Sequence, residues 1–366
     1  MAIRLLWLTE NYPPQRGGMA QSCDRLIHGL RNNGYEIEII HFTLKGNAFV
    51  RKQQQAGGYV AVTYEDSEPH TLNMTWNYIK TLGSFDYLIA FGGNLSMTGA
   101  PIFAQWMETK LITFLRGNDF DTSIFTPRKR EVLQYALQQS AHVFSVSGEK
   151  LRKIDRWIPD VNAHFVPNGI DLQNWSPIKS EVDFATGWRS QYAAGKTCIG
   201  LIGQLKPKKG VQFFINALSK MTVKADIHLL LIGDIEEAHQ EELDKKELSY
   251  TLIPFQDRYE LMKYYLCCDA LVIPSFYEGM PNVMLEAGAL GIPIIASNVD
   301  GMADLISHEK DGLLFQVGNE EACRKTIHQF MSMKDRWHEL GQALKTKIEN
   351  EYTAHHEIEA YKKHIT

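Results

Sequence analysis

The sequence predicts an α/β protein built from doubly wound parallel sheets, arranged in two domains. Three observations carry that expectation. A chain of 366 residues suits two domains of ordinary size. Short apolar runs of strand length alternate with stretches of helical spacing from one end of the chain to the other. Glycine turns follow several of these runs, at the strand ends where open parallel sheets receive ligands.

Composition narrows the function classes. Hydrophobic residues make up 44% of the chain and charged residues 22%, as in a soluble globular protein with ample core. A net charge of −5 argues against a dedicated nucleic-acid binder. The N-terminal half is close to neutral, which leaves peripheral membrane contact through it as an open alternative to an ordinary solvated surface. Cys23, Cys198, Cys267, Cys268 and Cys323 form no CxxC pair and read as core residues in a reducing compartment. The opening run is too short for a signal peptide, and no apolar stretch reaches the roughly 18 residues of a membrane span. The expectation is a cytoplasmic protein, with the inner membrane face as a peripheral alternative.

Taken in order, Ile3 to Leu8 reads as a strand, followed by a loop holding Gly17 and Gly18. Ala20, Cys23, Leu26, Ile27 and Leu30 then recur at helical spacing, and Glu36 to Phe42 is the next strand. The glycine turn between them lets backbone amides approach a phosphate closely, although GxGxxG is absent. Leu44 to Gly57 reads as a polar, irregular surface loop. Further strands are expected at Tyr59–Tyr64, Tyr87–Phe91, Leu111–Leu115 and His142–Val146. Arg116 and Asp119 follow the third of these. Arg116 suits either a bidentate clamp on an anion or a structural ion pair with Asp119 or Asp121.

In the second half, strands are expected at Thr197–Ile202, Ile227–Ile232, Thr251–Phe255, Leu271–Pro274, Ile294–Ser297 and Leu313–Phe315. Gln204, Lys206, Lys208, Lys209 and Gly210 lie in the turn after the first. After Leu271–Pro274 comes a loop carrying Glu278, then a helix with Pro281 at its first position, Glu286 one turn in, and Gly291 just past its end. The backbone N–H groups of Gly279, Met280, Pro281's neighbour Asn282 and Val283 surround that helix start, which favours an anion. No metal-ligand cluster is visible in the sequence.

Four separated motifs bear a family likeness. They are Tyr12-Pro13-Pro14 with Gly17-Gly18, Val166 to Asp171, Lys209-Gly210, and the two acids Glu278 and Glu286 with seven residues between them. Together they resemble glycosyltransferase family 4, retaining enzymes of the GT-B fold. The resemblance implies two Rossmann-like domains facing across a cleft: residues 1–175 on the acceptor side, 176–345 on the donor side, and 346–366 crossing back to the first. It implies a nucleotide-diphosphate sugar as donor and a glycan, lipid-linked or small-molecule hydroxyl as acceptor, with polysaccharide or glycan assembly as the setting. By the family pattern Glu278 lies against the donor sugar, Glu286 binds the ribose, and Lys209 neutralises the leaving diphosphate. Asp119 matches a family position, and Gly17 and Gly18 reach the phosphates. Gly279, Met280, Pro281, Asn282 and Val283 surround the donor, and Ile253 is placed near the base. Gln204 stands where the family has Arg, and Arg116 where it commonly has His. Front-face attack needs no enzyme nucleophile, and neither a cofactor nor a metal is required. A GT-B sugar-nucleotide epimerase and an inactive nucleotide-sugar-binding protein are the alternatives.

Overall fold

The computed structural model describes residues 2–44, 49–63, 67–117 and 119–366. Lys45 in the expected surface loop, Tyr64 at an expected strand end, and Asn118 lie outside them. Two compact units divide the chain. Unit 1 is Met1–Asn168 with Ala354–Thr366, and unit 2 is Gly169–Thr353. The chain leaves unit 1 at Asn168 and returns at Ala354, where the sequence suggested 175 and 346.

Unit 1 holds an eight-stranded sheet: β1 (Arg4–Thr9), β2 (Glu36–Thr43), β3 (Arg51–Gln54), β4 (Gly57–Thr63), β5 (Tyr87–Phe91), β6 (Lys110–Leu115), β7 (Ser140–Ser145) and β8 (Ala163–Phe165). Their order is β3-β4-β2-β1-β5-β6-β7-β8. The chain builds outward from β1 on one side, then restarts at β5 on the other. β1 and β5 therefore flank a topological switch point, where ligands of open α/β sheets bind. Successive residues of β1 face opposite cores: Leu6 and Leu8 join one buried cluster, Leu5 and Trp7 the other. Both faces are covered, which is why the strand reads as an unbroken apolar run. Each large side chain so buried contributes about 1.5–3 kcal/mol.

β3 departs from expectation. Its sequence, RKQQ, carries no apolar alternation, yet it pairs antiparallel with β4 at the sheet edge. Arg51 reaches over β4 to grip the buried Glu38 of β2 with two bonds, of 2.6 and 3.0 Å. A Cβ on Gly58 of β4 would lie 2.5 Å from that carboxylate, so glycine leaves room for the pair.

The returning helix, Ala354–Lys362, packs Ile358 and Tyr361 into the same core as Trp7, and Ile365 follows them. Tyr35 donates to the carbonyl of Ile365 at 2.8 Å and Tyr87 to that of Thr366 at 2.9 Å.

Unit 2 holds β9 (Thr197–Ile202), β10 (Ile227–Ile232), β11 (Ser249–Ile253), β12 (Ala270–Ile273), β13 (Ile294–Ser297) and β14 (Leu313–Phe315). The order is β11-β10-β9-β12-β13-β14 and every pair is parallel. Its switch point lies between β9 and β12. β11 ends at Ile253, two residues earlier than expected, because Pro254 has no N–H to extend the ladder. All five cysteines are free and buried. Among the described residues, no helix is long and apolar enough to cross a membrane.

Candidate active site

In unit 2, three loops at the C-terminal ends of strands are tied together. The turn after β9 presses on the loop after β12. Gly210 has φ +68°, and a Cβ there would lie 2.1 Å from the carbonyl oxygen of Pro274. The N–H of Phe276 donates to the carbonyl of Lys208 at 2.9 Å. The third loop, after β13, is clamped as closely: Gly301 donates to the Gly279 carbonyl at 2.9 Å, and a Cβ on Gly301 would come within 2.2 Å of that oxygen.

This clamping gathers charge. The buried Glu278 carboxylate meets the Lys209 ammonium in a direct ion pair, and Lys208 Nζ stands 3.8 Å from its second oxygen. The Glu278 N–H donates to Asp300 Oδ2 at 3.0 Å. Two ammonium groups thus stand with two carboxylates. An arriving anion would find both lysines held in place and would compete with Glu278 for them. Lys206, the other lysine of the turn, is exposed.

The helix after Glu278 runs Asn282–Ala289. Pro281, expected inside it, is its cap residue, with φ −64° and an extended ψ of 127°. Proline's fixed φ fits the helix, but its ψ keeps it one position outside. Met280 is buried, while Asn282 and Val283 are half-buried. Glu286 sits one turn in and accepts a 2.6 Å bond from the hydroxyl of Tyr265. Burial first, then the Glu286 charge, push the Tyr265 hydroxyl well above its ordinary value, so it stays a donor. Its ring stands edge-on to Trp175, centroids 5.6 Å apart, which fixes the hydroxyl's aim. Sequence reasoning passed over Tyr265. It lies 21 residues from Glu286, with no local pattern joining them.

Gln204 is half-buried in the turn after β9, and its carbonyl accepts from Lys206 N–H at 2.8 Å. Ile253 ends β11, and its carbonyl accepts from Gly233 N–H at 3.0 Å.

In unit 1, Gly17 caps the helix Gly18–Asn32, as the glycine turn suggested. Arg116 is corrected. Its guanidinium is not paired with Asp119 or Asp121, nor does it face solvent, being 4% exposed. It donates to Tyr361 Oη at 2.5 Å, to Glu357 Oε1 at 2.7 Å and to Asn168 Oδ1. Glu357 takes a second bond, of 3.0 Å, from Arg25. Arg116 therefore ties the returning helix to the end of β6. Asp121 instead pairs at 2.9 Å with Lys150, whose side chain is fully buried.

Asp119 accepts from the N–H groups of Gly93, Arg116 and Gly117 at 3.3–3.4 Å. Burial nonetheless pushes its carboxyl above the ordinary value. It lines a cavity of about 310 Å³ with Glu10, Met19, Gly93, Asn94 and Lys129. Glu10 accepts from Leu95 N–H at 2.5 Å, and burial raises its carboxyl to about 7. Sequence reasoning did not single out Glu10. The available signal was its position directly after β1, beside the switch point.

Three histidines outside the acidic and basic clusters also come together. His142, His164 and His364 each offer a ring nitrogen, and these atoms lie within 4.8 Å of one another. They are too far apart in sequence for any spacing rule to join them.

A family model described as Glycosyltransferase Family 4 matches residues 16–174, and one described as Glycosyl transferases group 1 matches residues 188–347. A glycosyltransferase of Methanocaldococcus jannaschii, itself uncharacterised, is 25% identical over 90% of this chain and 89% of its own length. A GDP-mannose-dependent alpha-mannosyltransferase of Mycobacterium tuberculosis is 23% identical over 87% of this chain and 85% of its own. Among solved structures, sucrose-phosphate synthase of Thermosynechococcus elongatus matches with a TM-score of 0.84 at 17% identity, covering 99% of this chain and 98% of that one. Anabaena HepE, captured with UDP-glucose, matches with a TM-score of 0.81 at 15% identity, covering 99% and 98%. These likenesses show a GT-B fold.

Proposed function

The chain belongs to the family 4, group 1 glycosyltransferases, and from that premise we propose that it moves a sugar from a nucleotide-diphosphate sugar to a hydroxyl acceptor with retention of anomeric configuration. The observation that carries the reading is Glu278 held by Lys208 and Lys209 where two glycine-clamped loops meet a helix start. Breaking a glycosidic bond to a diphosphate puts negative charge on the leaving oxygens. Preorganised cations and amides aimed at that charge lower the barrier more than any other device of this kind.

Lys209 and Lys208 turn from Glu278 to the diphosphate, so two cations serve the leaving group although Gln204 replaces the family's arginine. The amides beginning at Asn282 and Val283 add the positive end of the helix dipole. Glu278, released from the lysines, accepts from the sugar's hydroxyls and faces the positive charge developing at the anomeric carbon. Glu286, aimed by Tyr265, accepts from the ribose. Ile253 lies toward the base. The donor class also has support from HepE, which was captured with UDP-glucose. In unit 1 the cavity of Glu10, Asp119 and Lys129 is assigned to a hydroxyl-rich acceptor. Two carboxyls raised by burial suit hydrogen bonding to hydroxyls, and Glu10, raised to about 7, suits proton acceptance near neutral pH. Attack comes from the face the diphosphate leaves, so no enzyme nucleophile is named, and the lysines stand in for a cation on the phosphates.

The test is nucleoside-diphosphate release across a panel of sugar nucleotides and hydroxyl acceptors, with the product anomer read by proton NMR. The expected product keeps the donor's anomeric configuration, at a rate EDTA leaves unchanged. An inverted anomer, or a sugar nucleotide epimerised without transfer, overturns the proposal.

A further inference from the structure

Unit 1 contains a cluster of imidazoles for which sugar transfer has no use. His142 lies on β7, His164 on β8, and His364 follows the returning helix. His142 Nδ1 and His164 Nε2 are 3.1 Å apart. The ring centroids of His164 and His364 are 3.9 Å apart with a 32° tilt, and those of His142 and His364 are 5.4 Å apart. All three rings are half-buried, and Phe144 packs against each of them.

We propose that His142, His164 and His364 form a binding site for one zinc-class divalent ion, which fastens the segment after the returning helix to the edge of the unit 1 sheet. Three imidazoles and one water make a common tetrahedral donor set for such an ion. At zinc–nitrogen distances of about 2.0–2.1 Å, tetrahedral ligand nitrogens stand about 3.3 Å apart. The His142–His164 pair, at 3.1 Å, has nearly that spacing, and the three ligand atoms all lie within 4.8 Å of one another. The aromatic packing holds the rings in place, and an ion bound at His142 Nδ1 would displace the 3.0 Å approach of the Asn162 side-chain amide to that nitrogen.

A zinc-class ion takes imidazole in its neutral form. Magnesium and calcium prefer oxygen donors, so this set rejects them.

The ion would join residues 142 and 164 to residue 364, across most of the chain. It would act on the anchoring of the returning segment rather than on the donor site in unit 2. Tyr35 and Tyr87 already hold the Ile365 and Thr366 carbonyls there.

The experiment uses the full chain without a polyhistidine tag, stripped with EDTA and titrated with ZnCl2 by calorimetry at pH 7.5. The proposal expects one zinc per chain. At a hundredfold excess over Kd it expects a melting temperature higher by roughly 5–10 °C. CoCl2 should give the intense visible absorption of a tetrahedral ion, and MgCl2 should do nothing. His364→Gln and His142→Gln should each lose at least tenfold in zinc affinity. His364→Gln is also required to match the wild-type melting temperature without metal, which separates lost ligation from lost folding. Zinc bound as well by His364→Gln as by the wild type overturns the site. So does the absence of stoichiometric binding, or equal stabilisation by magnesium. A surface site at His355 and His356 would survive both substitutions and is distinguished in that way.

Discussion

Replacing Arg116 by methionine tests whether that residue reads a ligand or holds the fold. The guanidinium is buried and bonded to Glu357, Tyr361 and Asn168. Removing one partner of a buried ion pair typically costs about 3–5 kcal/mol, because the remaining charge is stranded away from water. Arg25 still reaches Glu357 at 3.0 Å, which holds the loss toward the lower end. At about 3 kcal/mol and about 2–4 °C per kcal/mol for a unit of this size, the melting temperature should fall by roughly 6–12 °C. Adding Glu357→Leu should restore most of that, since no unpaired carboxylate is then buried.

The pH dependence has a definite sign. Burial pushes the Glu357 carboxyl up, and Arg25 and Arg116 pull it back to a value below its ordinary 4.5. An acid depressed in the folded state stabilises above its unfolded pKa, and that contribution is lost as pH falls through the folded value. The gap between wild type and Arg116→Met should therefore be full above pH 4.5 and narrow below it. The assay is scanning calorimetry, paired with nucleoside-diphosphate release well below both transitions. A melting temperature within 2 °C of wild type, with turnover lost tenfold or more, would refute the structural role and return Arg116 to the ligand.

Glu278→Gln leaves behind lysines that reach solvent, unlike the buried partners of Arg116. It should change the melting temperature far less than Arg116→Met and lower turnover by about 10²–10³, the scale for losing one preorganised electrostatic group; wild-type turnover would sink its assignment. Tyr265→Phe removes a hydrogen bond to a charged group worth about 1.5–3 kcal/mol. The donor KM should rise about tenfold or more with a smaller change in kcat, and an unchanged KM would separate Glu286 from the nucleotide. Glu10→Gln concerns pH: an acid raised by burial to about 7 costs the fold stability as pH climbs from 4.5 through 7. The wild-type melting temperature should fall across that window more than the variant's, and parallel curves would show that Glu10 is not raised.

What the sequence made legible was local. Tyr87–Phe91 (YLIAF) and Thr197–Ile202 (TCIGLI) are buried at every position, so near-continuous apolar runs without polar alternation mark them as buried parallel strands. The Glu278–Glu286 loop and helix were legible because turn glycines, proline and two acids sit within one short stretch. β3 was not, because Arg51–Gln54 is held by Glu38 of another strand and by backbone pairing rather than by its own side chains. Arg116 and Glu357 are 241 residues apart, and the three histidines lie on two strands and in the segment after the returning helix. Such pairings depend on which sheet edge the chain returns to, and neither propensity nor periodicity encodes that. Lys208 is an intermediate case. Its place beside Lys209 was visible, but its approach to Glu278 depends on Gly210 pressing against Pro274.

The central claim is that the cluster of Lys208, Lys209 and Glu278 is the diphosphate end of the donor site. Hydrogen exchange with UDP, GDP and ADP, read peptide by peptide by mass spectrometry, tests it most directly. At least one of the three should slow exchange in residues 203–210 and 274–286 of the wild type, and Lys208→Ala with Lys209→Ala should abolish that protection while leaving the rest of unit 2 as slow as before. Protection of those segments surviving in the double variant, or appearing in the wild type only outside them, would contradict the account.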